Sequence, residues 1–432
     1  MRDYALFGIA AIGLALTLWR PWVGVLLYLW FAYMNPHRLC YGAASTFPFS
    51  AVVVCVLLAG LVFSRDKKRL PLVPETLLLI LFALWLTVNT FLALNPDGAW
   101  PQWNRALKIL FMTGILLMML VSKERINSAV WTIVLSLGYY AVRGAIGSVL
   151  TGGRSRVYGP PDTFIADNND IAVALVTVIP LVVYLLFLVK RRFVRLALIA
   201  VLAGAVISVI GTYSRAGLLA LAAVAIALLW KSPHRIVALL AVCLAGGLVY
   251  QLAPSQWFSR METIADYDAD ASAQGRINAW RFAMNVVADR PLTGGGFEVF
   301  TPALFQVYAP VPDNYHAAHS IYFKVLGEQG IPGLALYLAL WLSTWRTAHK
   351  IIRQARDRPD AAWAGWLASM VQVALIGYAV GGAFGNLCYF DLPYHLMALV
   401  VGCKVALSRS EDRDIETDAG PNSVAVASSE AF

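Results

Sequence analysis

Ile171-Ala-Val-Ala-Leu-Val-Thr-Val-Ile-Pro-Leu-Val-Val-Tyr-Leu-Leu-Phe-Leu-Val189 runs for nineteen residues without a charge. Asp167-Asn168-Asn169-Asp170 opens it, and Lys190, Arg191 and Arg192 close it. About 20 predominantly apolar residues in a helix cross the hydrocarbon core of a bilayer. A basic cluster at one end marks the side on which the chain stays. The stretch therefore reads as a transmembrane helix and sets the class of the whole chain.

Runs of the same kind recur on both sides, near 47–63, 72–93, 105–121, 128–150, 195–213, 215–230, 235–252, 331–346, 362–384 and 391–407. Residues 4–34 are interrupted by Arg20-Pro21 and read as one kinked span or two short ones. About twelve crossings are expected. Met1-Arg2-Asp3 leads into apolar sequence without a small-residue cleavage site, which reads as a first span, not a removed signal peptide. Composition agrees with an all-α polytopic membrane protein. Of 432 residues, 59% are hydrophobic and 14% charged, against roughly 25% charged in a soluble domain, and the mean hydropathy is +0.66. A soluble multi-domain enzyme is excluded.

The net charge of +9 is read by location, as a matter of orientation and anionic lipid groups and not of nucleic acid. Alternate short loops collect Arg65, Lys67, Lys68 and Arg69; Lys123 and Arg125; Lys190, Arg191, Arg192 and Arg195; Lys231 and Arg235; and a run from Arg346 to Arg358. That face is cytoplasmic by the bias of basic residues in short loops. The tail from 408 falls on the same side and is polar enough to stay disordered. The five cysteines are scattered without a CxxC spacing and read as small core hydrophobes.

The opposite face carries the one long excursion, residues 253–330, with shorter segments at 35–46 and 151–168. Twelve basic residues belong to this side: Arg38, Arg105, Lys108, Arg143, Arg154, Arg156, Arg215, Arg260, Arg276, Arg281, Arg290 and Lys324. Ten are arginine, whose planar fork of donors matches phosphate oxygens and never loses its charge. Arg260, Arg290 and Lys324 read most simply as solvated loop charges. Arg215 sits in Gly211-Thr-Tyr-Ser-Arg-Ala-Gly217, inside an almost continuous apolar stretch. An arginine at membrane depth costs about 2.5–3.5 kcal/mol on insertion scales and usually marks a functional site. The bland alternative is a snorkelling side chain at a span end. Arg143, in Tyr139-Tyr140-Ala-Val-Arg143, makes the same case more weakly.

Within the excursion, residues 272–290 have helical periodicity, with Ser272 as N-cap and Ile277, Trp280, Met284 and Val287 as the apolar face. Arg276 near the helix N-terminus meets free N–H groups that also favour an anion. His316 and His319 cluster at the mouth of the following span, where an imidazole can exchange protons near neutrality. No third ligand stands at a diagnostic spacing, so no metal is assigned to them. Asp266, Asp268 and Asp270 read as a solvated acidic turn.

Tyr213-Ser214-Arg215-Ala216-Gly217, then Gly275-Arg276 to Trp280 with Pro291 and Gly294 to Gly296, then His319-Ser320 to Glu328 and Gly330 form an ordered set. It resembles the O-antigen ligase and polymerase superfamily, as does the Asn-rich entry at 167–170. Asn35-Pro36-His37-Arg38 is similar to a branch that includes protein O-glycosylation ligases.

The resemblance implies a GT-C type fold in the bacterial inner membrane. It divides into a transmembrane bundle at 1–252, a periplasmic loop with amphipathic helices at 253–330, C-terminal spans at 331–407 and a cytoplasmic tail at 408–432. It further implies a metal-independent, inverting glycosyltransferase without cofactor. The donor is a glycan on undecaprenyl pyrophosphate and the acceptor is lipid A-core. His319 is then the candidate general base, and Arg215 and Arg276 the pyrophosphate ligands. Arg143, Arg154, Arg156, Arg281 and His316 are secondary substrate-binding candidates. A polymerase or a protein O-oligosaccharyltransferase would use the same donor, and an exporter of an anionic substrate would also gather outward arginines.

Overall fold

The computed structural model describes residues 2–64, 68–232, 235–236, 246–247 and 271–418. Most of the span expected near 235–252, Arg260, the acidic run at Asp266, Asp268 and Asp270, and residues 419–432 lie outside the described residues. All regular structure among the described residues is helical.

Residues 4–34 form two helices, α1 (Arg2–Trp19) and α2 (Pro21–Met34), because Pro21 can open a helix but not continue one. Then follow α3 (Phe49–Phe63), α4 (Pro74–Thr90), α5 (Pro96–Met119), α6 (Lys123–Leu150), α7 (Asn168–Leu188), α8 (Arg192–Gly211) and α9 (Arg215–Lys231). The stretch that follows α9 contributes α10 (Ala271–Asp289) and α11 (Pro302–Tyr308). The chain ends in α12 (Ile321–Gln354), α13 (Ala362–Gly382) and α14 (Asp391–Asp418). The last helix runs past the expected end at 407, where no glycine or proline stands between 408 and 418.

Seven helices among the described residues are long and apolar enough to cross a membrane: α1, α6, α7, α8, α12, α13 and the segment Leu387–Arg409. The chain is a multi-pass membrane protein. The expected twelve crossings are not reached by that measure. Pro21–Met34, Phe49–Phe63 and Pro74–Thr90 are apolar but short, and fourteen residues rise only about 21 Å at 1.5 Å each. Ile12, Val62 and Phe193 stand exposed on the outside of the bundle, as lipid-facing side chains do, while α7 and the last helix form its buried centre.

This excursion is anchored, not draped. α10 packs on α12, and its buried face is Asn278, Ala279, Phe282, Ala283 and Val286, closed by Phe300 and Phe305. The expected apolar stripe is therefore out of phase: Met284 is exposed, and Ser272 lies inside the helix instead of capping it. The aromatic cluster with Phe305, which comes from later in the chain, decides the phase. Gly295 and Gly296 N–H groups donate to the Gly327 and Glu328 carbonyls at 2.8 and 2.9 Å, and the Asn89 amide donates to Thr293 and Glu328 carbonyls at 2.7 and 2.8 Å. These bonds pin the Gly294–Gly296 turn onto a break in α12. At that break Gly330 adopts φ +67° and ψ −172°, a region essentially reserved for glycine.

Lys324 is not a solvated loop charge. It lies in α12 with its Nζ 3.9 Å from buried Glu328 and 4.0 Å from Glu298. Arg290 also has a fixed partner, donating to the Leu92 carbonyl at 2.7 Å.

Candidate functional site

Four separated segments meet at one cavity. The first is the start of α7. Asp167 caps it, its Oδ1 accepting from the Asn169 backbone N–H at 2.8 Å and from the Asn169 side chain at 3.0 Å. Asn168 donates to the Thr212 carbonyl at 2.9 Å, so the Asn-rich entry is tied to the turn between α8 and α9.

That turn is the second segment. Ser214 caps α9, accepting from Gly217 N–H at 3.0 Å and donating to Asn169 Oδ1 at 2.7 Å. Tyr213 sits at φ +56° and donates from its hydroxyl to the Gly153 carbonyl. The turn can close only because Gly217 has no side chain: a Cβ there would stand 2.6 Å from Ala172 Cβ. Capping and close approach together place Arg215 at the first position of α9.

The third segment is the first part of α10, which carries Arg276. Trp280 Nε1–H donates to the Ala318 carbonyl at 2.8 Å, and its ring stacks on Phe323 at 4.9 Å. The Asn278 amide donates to the Val311 and Asn314 carbonyls at 2.8 and 2.9 Å. The helix bearing Arg276 is thereby held against the segment that leads to His319, the fourth element.

His319 is half-buried at φ +41°. Its backbone N–H donates to Asn386 Oδ1 at 3.0 Å, and its Nδ1 lies 3.0 Å from Asn386 Nδ2. The Asn386 backbone N–H in turn donates to the buried Asp170 Oδ1 at 3.0 Å.

Asp167, Asn169, Tyr213, Arg215, Ala216, Arg276 and His319 line a cavity of about 180 Å³. Its walls are predominantly polar and carry two guanidiniums, an imidazole and a carboxylate. Burial, and then the nearby Arg276 guanidinium, hold the His319 imidazole below its usual pKa, so it is neutral near neutrality. Such a cavity suits a small polyanion beside a group able to take or give a proton.

The structure thus brings together Arg215, Arg276 and His319, which are far apart in sequence. The secondary candidates stand outside the lining. His316 packs its ring against Gly275, where a Cβ would stand 2.5 Å from it. Arg156 is exposed, with its guanidinium 6.0 Å from the Tyr213 ring, one residue removed from the cavity wall. Arg143, Arg154 and Arg281 are exposed. Sequence reading passed over Asn386: it stands alone between Gly385 and Leu387, and no spacing connects it to a histidine 67 residues earlier. Among the described residues no group of three or more His, Cys, Asp or Glu side chains is placed to hold a metal ion.

Residues 201–338 match the model of a family described as O-antigen ligase. Residues 1–190 match that of a family of unknown function, DUF5935. No curated protein gives a match. The first match contains Arg215, Arg276 and His319, whereas Asp167, Asn169 and Asn386 fall outside it.

Proposed function

We propose that this chain, a member of the O-antigen ligase/polymerase superfamily through its domain at residues 201–338, is an O-antigen ligase. It would move a glycan from undecaprenyl pyrophosphate to lipid A-core at the periplasmic face of the inner membrane. The supporting observation is the convergence of Arg215, Arg276 and His319 on one small polar cavity beside a membrane-spanning bundle. A lipid-linked donor leaves its polyprenyl chain among apolar helices and its pyrophosphate at their polar end, where the two arginines stand.

In the proposed reaction the acceptor hydroxyl oxygen attacks the anomeric carbon from the side opposite the pyrophosphate, which inverts its configuration. The bond from that carbon to the phosphate oxygen breaks, and undecaprenyl pyrophosphate leaves with the electron pair. Negative charge grows on the departing oxygen. Guanidiniums fixed there before the reaction stabilise the transition state more than the ground state, which is what accelerates the step. The neutral His319 imidazole accepts the hydroxyl proton as general base, a contribution of about 10²–10⁴-fold. Arg156, next to the cavity through Tyr213, belongs on the approach of an anionic acceptor.

The test is transfer by the purified protein from one lipid-linked glycan, offered in turn lipid A-core, a second lipid-linked glycan and a pilin-like protein. Product on lipid A-core alone is expected. Product only on the second lipid-linked glycan or only on the protein would replace the ligase reading by a polymerase or a protein O-oligosaccharyltransferase.

A further inference from the structure

A base must present a lone pair to the proton it takes, so the tautomer of His319 decides whether it can act. The contacts of Asn386 settle that tautomer. The His319 backbone N–H can only donate, and it points at one end of the Asn386 amide at 3.0 Å. That end is therefore the carbonyl oxygen. The other end, 3.0 Å from Nδ1, is the amino group and can only donate. Nδ1 accepts. The proton of the neutral ring is left on Nε2, the edge that remains for the cavity.

We propose that Asn386 is a positioning residue that sets the tautomer of the base: its amide holds the His319 proton on Nε2. This rests on the reading of His319 as general base. With its proton on Nε2 the ring has no lone pair on that nitrogen. To act as base the neutral ring passes that proton to Nδ1 and frees Nε2, so Asn386 sets the population of the competent tautomer.

Two features fix the amide in place. Its backbone N–H is held by Asp170 at 3.0 Å. Asp170 is itself buried at the start of α7, the helix whose cap, Asp167, lines the cavity. The charged and titratable groups around His319 come from every neighbouring element: Arg276 on α10, Arg215 across the cavity on α9, Asp167 at the α7 cap, Lys324 on α12, and His316 on its own segment. Asp167 alone among these favours the protonated ring, and Asn386 contributes a further donor facing Nδ1.

The test reads the tautomer directly. The protein with ¹⁵N-labelled histidine is compared with Asn386→Asp by ring-nitrogen NMR in nanodiscs, and with His319→Gln to assign the signal. The neutral His319 ring of the wild type should carry its proton on Nε2. In Asn386→Asp a carboxylate can accept from both the backbone N–H and Nδ1–H, so the proton should move to Nδ1. The added charge should also raise the ring pKa and shift the acid limb of the transfer rate to higher pH. A wild-type ring protonated on Nδ1, or an Asn386→Asp ring unchanged in both tautomer and pH limb, overturns the proposal. The wild-type spectrum decides even if the variant does not fold. The result is also independent of catalysis: loss of the base role in a His319→Ala transfer assay would leave the tautomer reading standing.

Discussion

Removing Arg215 and Arg276 singly and together tests whether they hold one anion. A sphere with the volume of the cavity is about 7 Å across, and a guanidinium on its wall lies about 4 Å from a phosphate charge, an interaction of about 4 kcal/mol at an effective dielectric near 20. Both side chains are half-buried, so solvent screening lowers that value. A fixed donor at a developing oxyanion is worth about 10²–10³-fold, or roughly 2.7–4 kcal/mol. Arg215→Ala and Arg276→Ala should each lose that much in kcat/KM. Arg215→Lys should remain severely impaired, because an ammonium cannot replace a fork of donors.

A cavity this small holds one pyrophosphate, so both arginines act on the same group. Loss of either misplaces the leaving group for both, and residues that act as a unit are strongly non-additive. The double variant should therefore lose far less than the product of the single losses. The assay is single-turnover transfer from a polyprenyl-pyrophosphate-linked glycan by each purified protein. Single variants within tenfold of wild type, or losses that simply multiply, would refute the shared-anion geometry.

The pH dependence follows from the lowered pKa of His319. The neutral ring is the competent base, so protonation removes activity as pH falls, and the acid limb of kcat/KM should lie below the ordinary histidine value of about 6.5; a limb above that value contradicts the environment described. Gly330→Ala should destabilise the protein, since a Cβ there would stand 2.1 Å from the Leu292 carbonyl oxygen and the backbone conformation costs a non-glycine residue about 1–3 kcal/mol. An unchanged melting temperature in detergent would remove the claim that this break pins the Gly294–Gly296 turn. Transfer should persist in EDTA, and restoration of a lost activity by Mg²⁺ or Mn²⁺ would show a metal requirement.

The seven long apolar helices were legible because hydropathy is a local property of about 20 residues. Arg215 and His319 were legible for a related reason: a charge or imidazole at the mouth of an apolar run is costly and stands out. Their convergence was not, since Arg215, Arg276 and His319 belong to segments some 40 to 60 residues apart and meet only through tertiary bonds such as Trp280 to Ala318. Helix α10 was placed in the sequence but rotated, because the cluster of Phe282, Phe300 and Phe305 is assembled from later residues. Lys324 was misread for the same reason, its partners Glu298 and Glu328 being recognisable as partners only once α12 is folded against the Gly294–Gly296 turn. Asn386 left no sequence signal at all; an amide acts here through geometry, and geometry is not a local property.

The most direct measurement is a paired one on purified wild type and His319→Ala: binding of the lipid-linked donor, and formation of glycosylated lipid A-core. Donor binding should be equal in the two proteins while His319→Ala forms no product. Product formed by His319→Ala at the wild-type rate would mean that the imidazole beside Arg215 and Arg276 takes no part in the transfer.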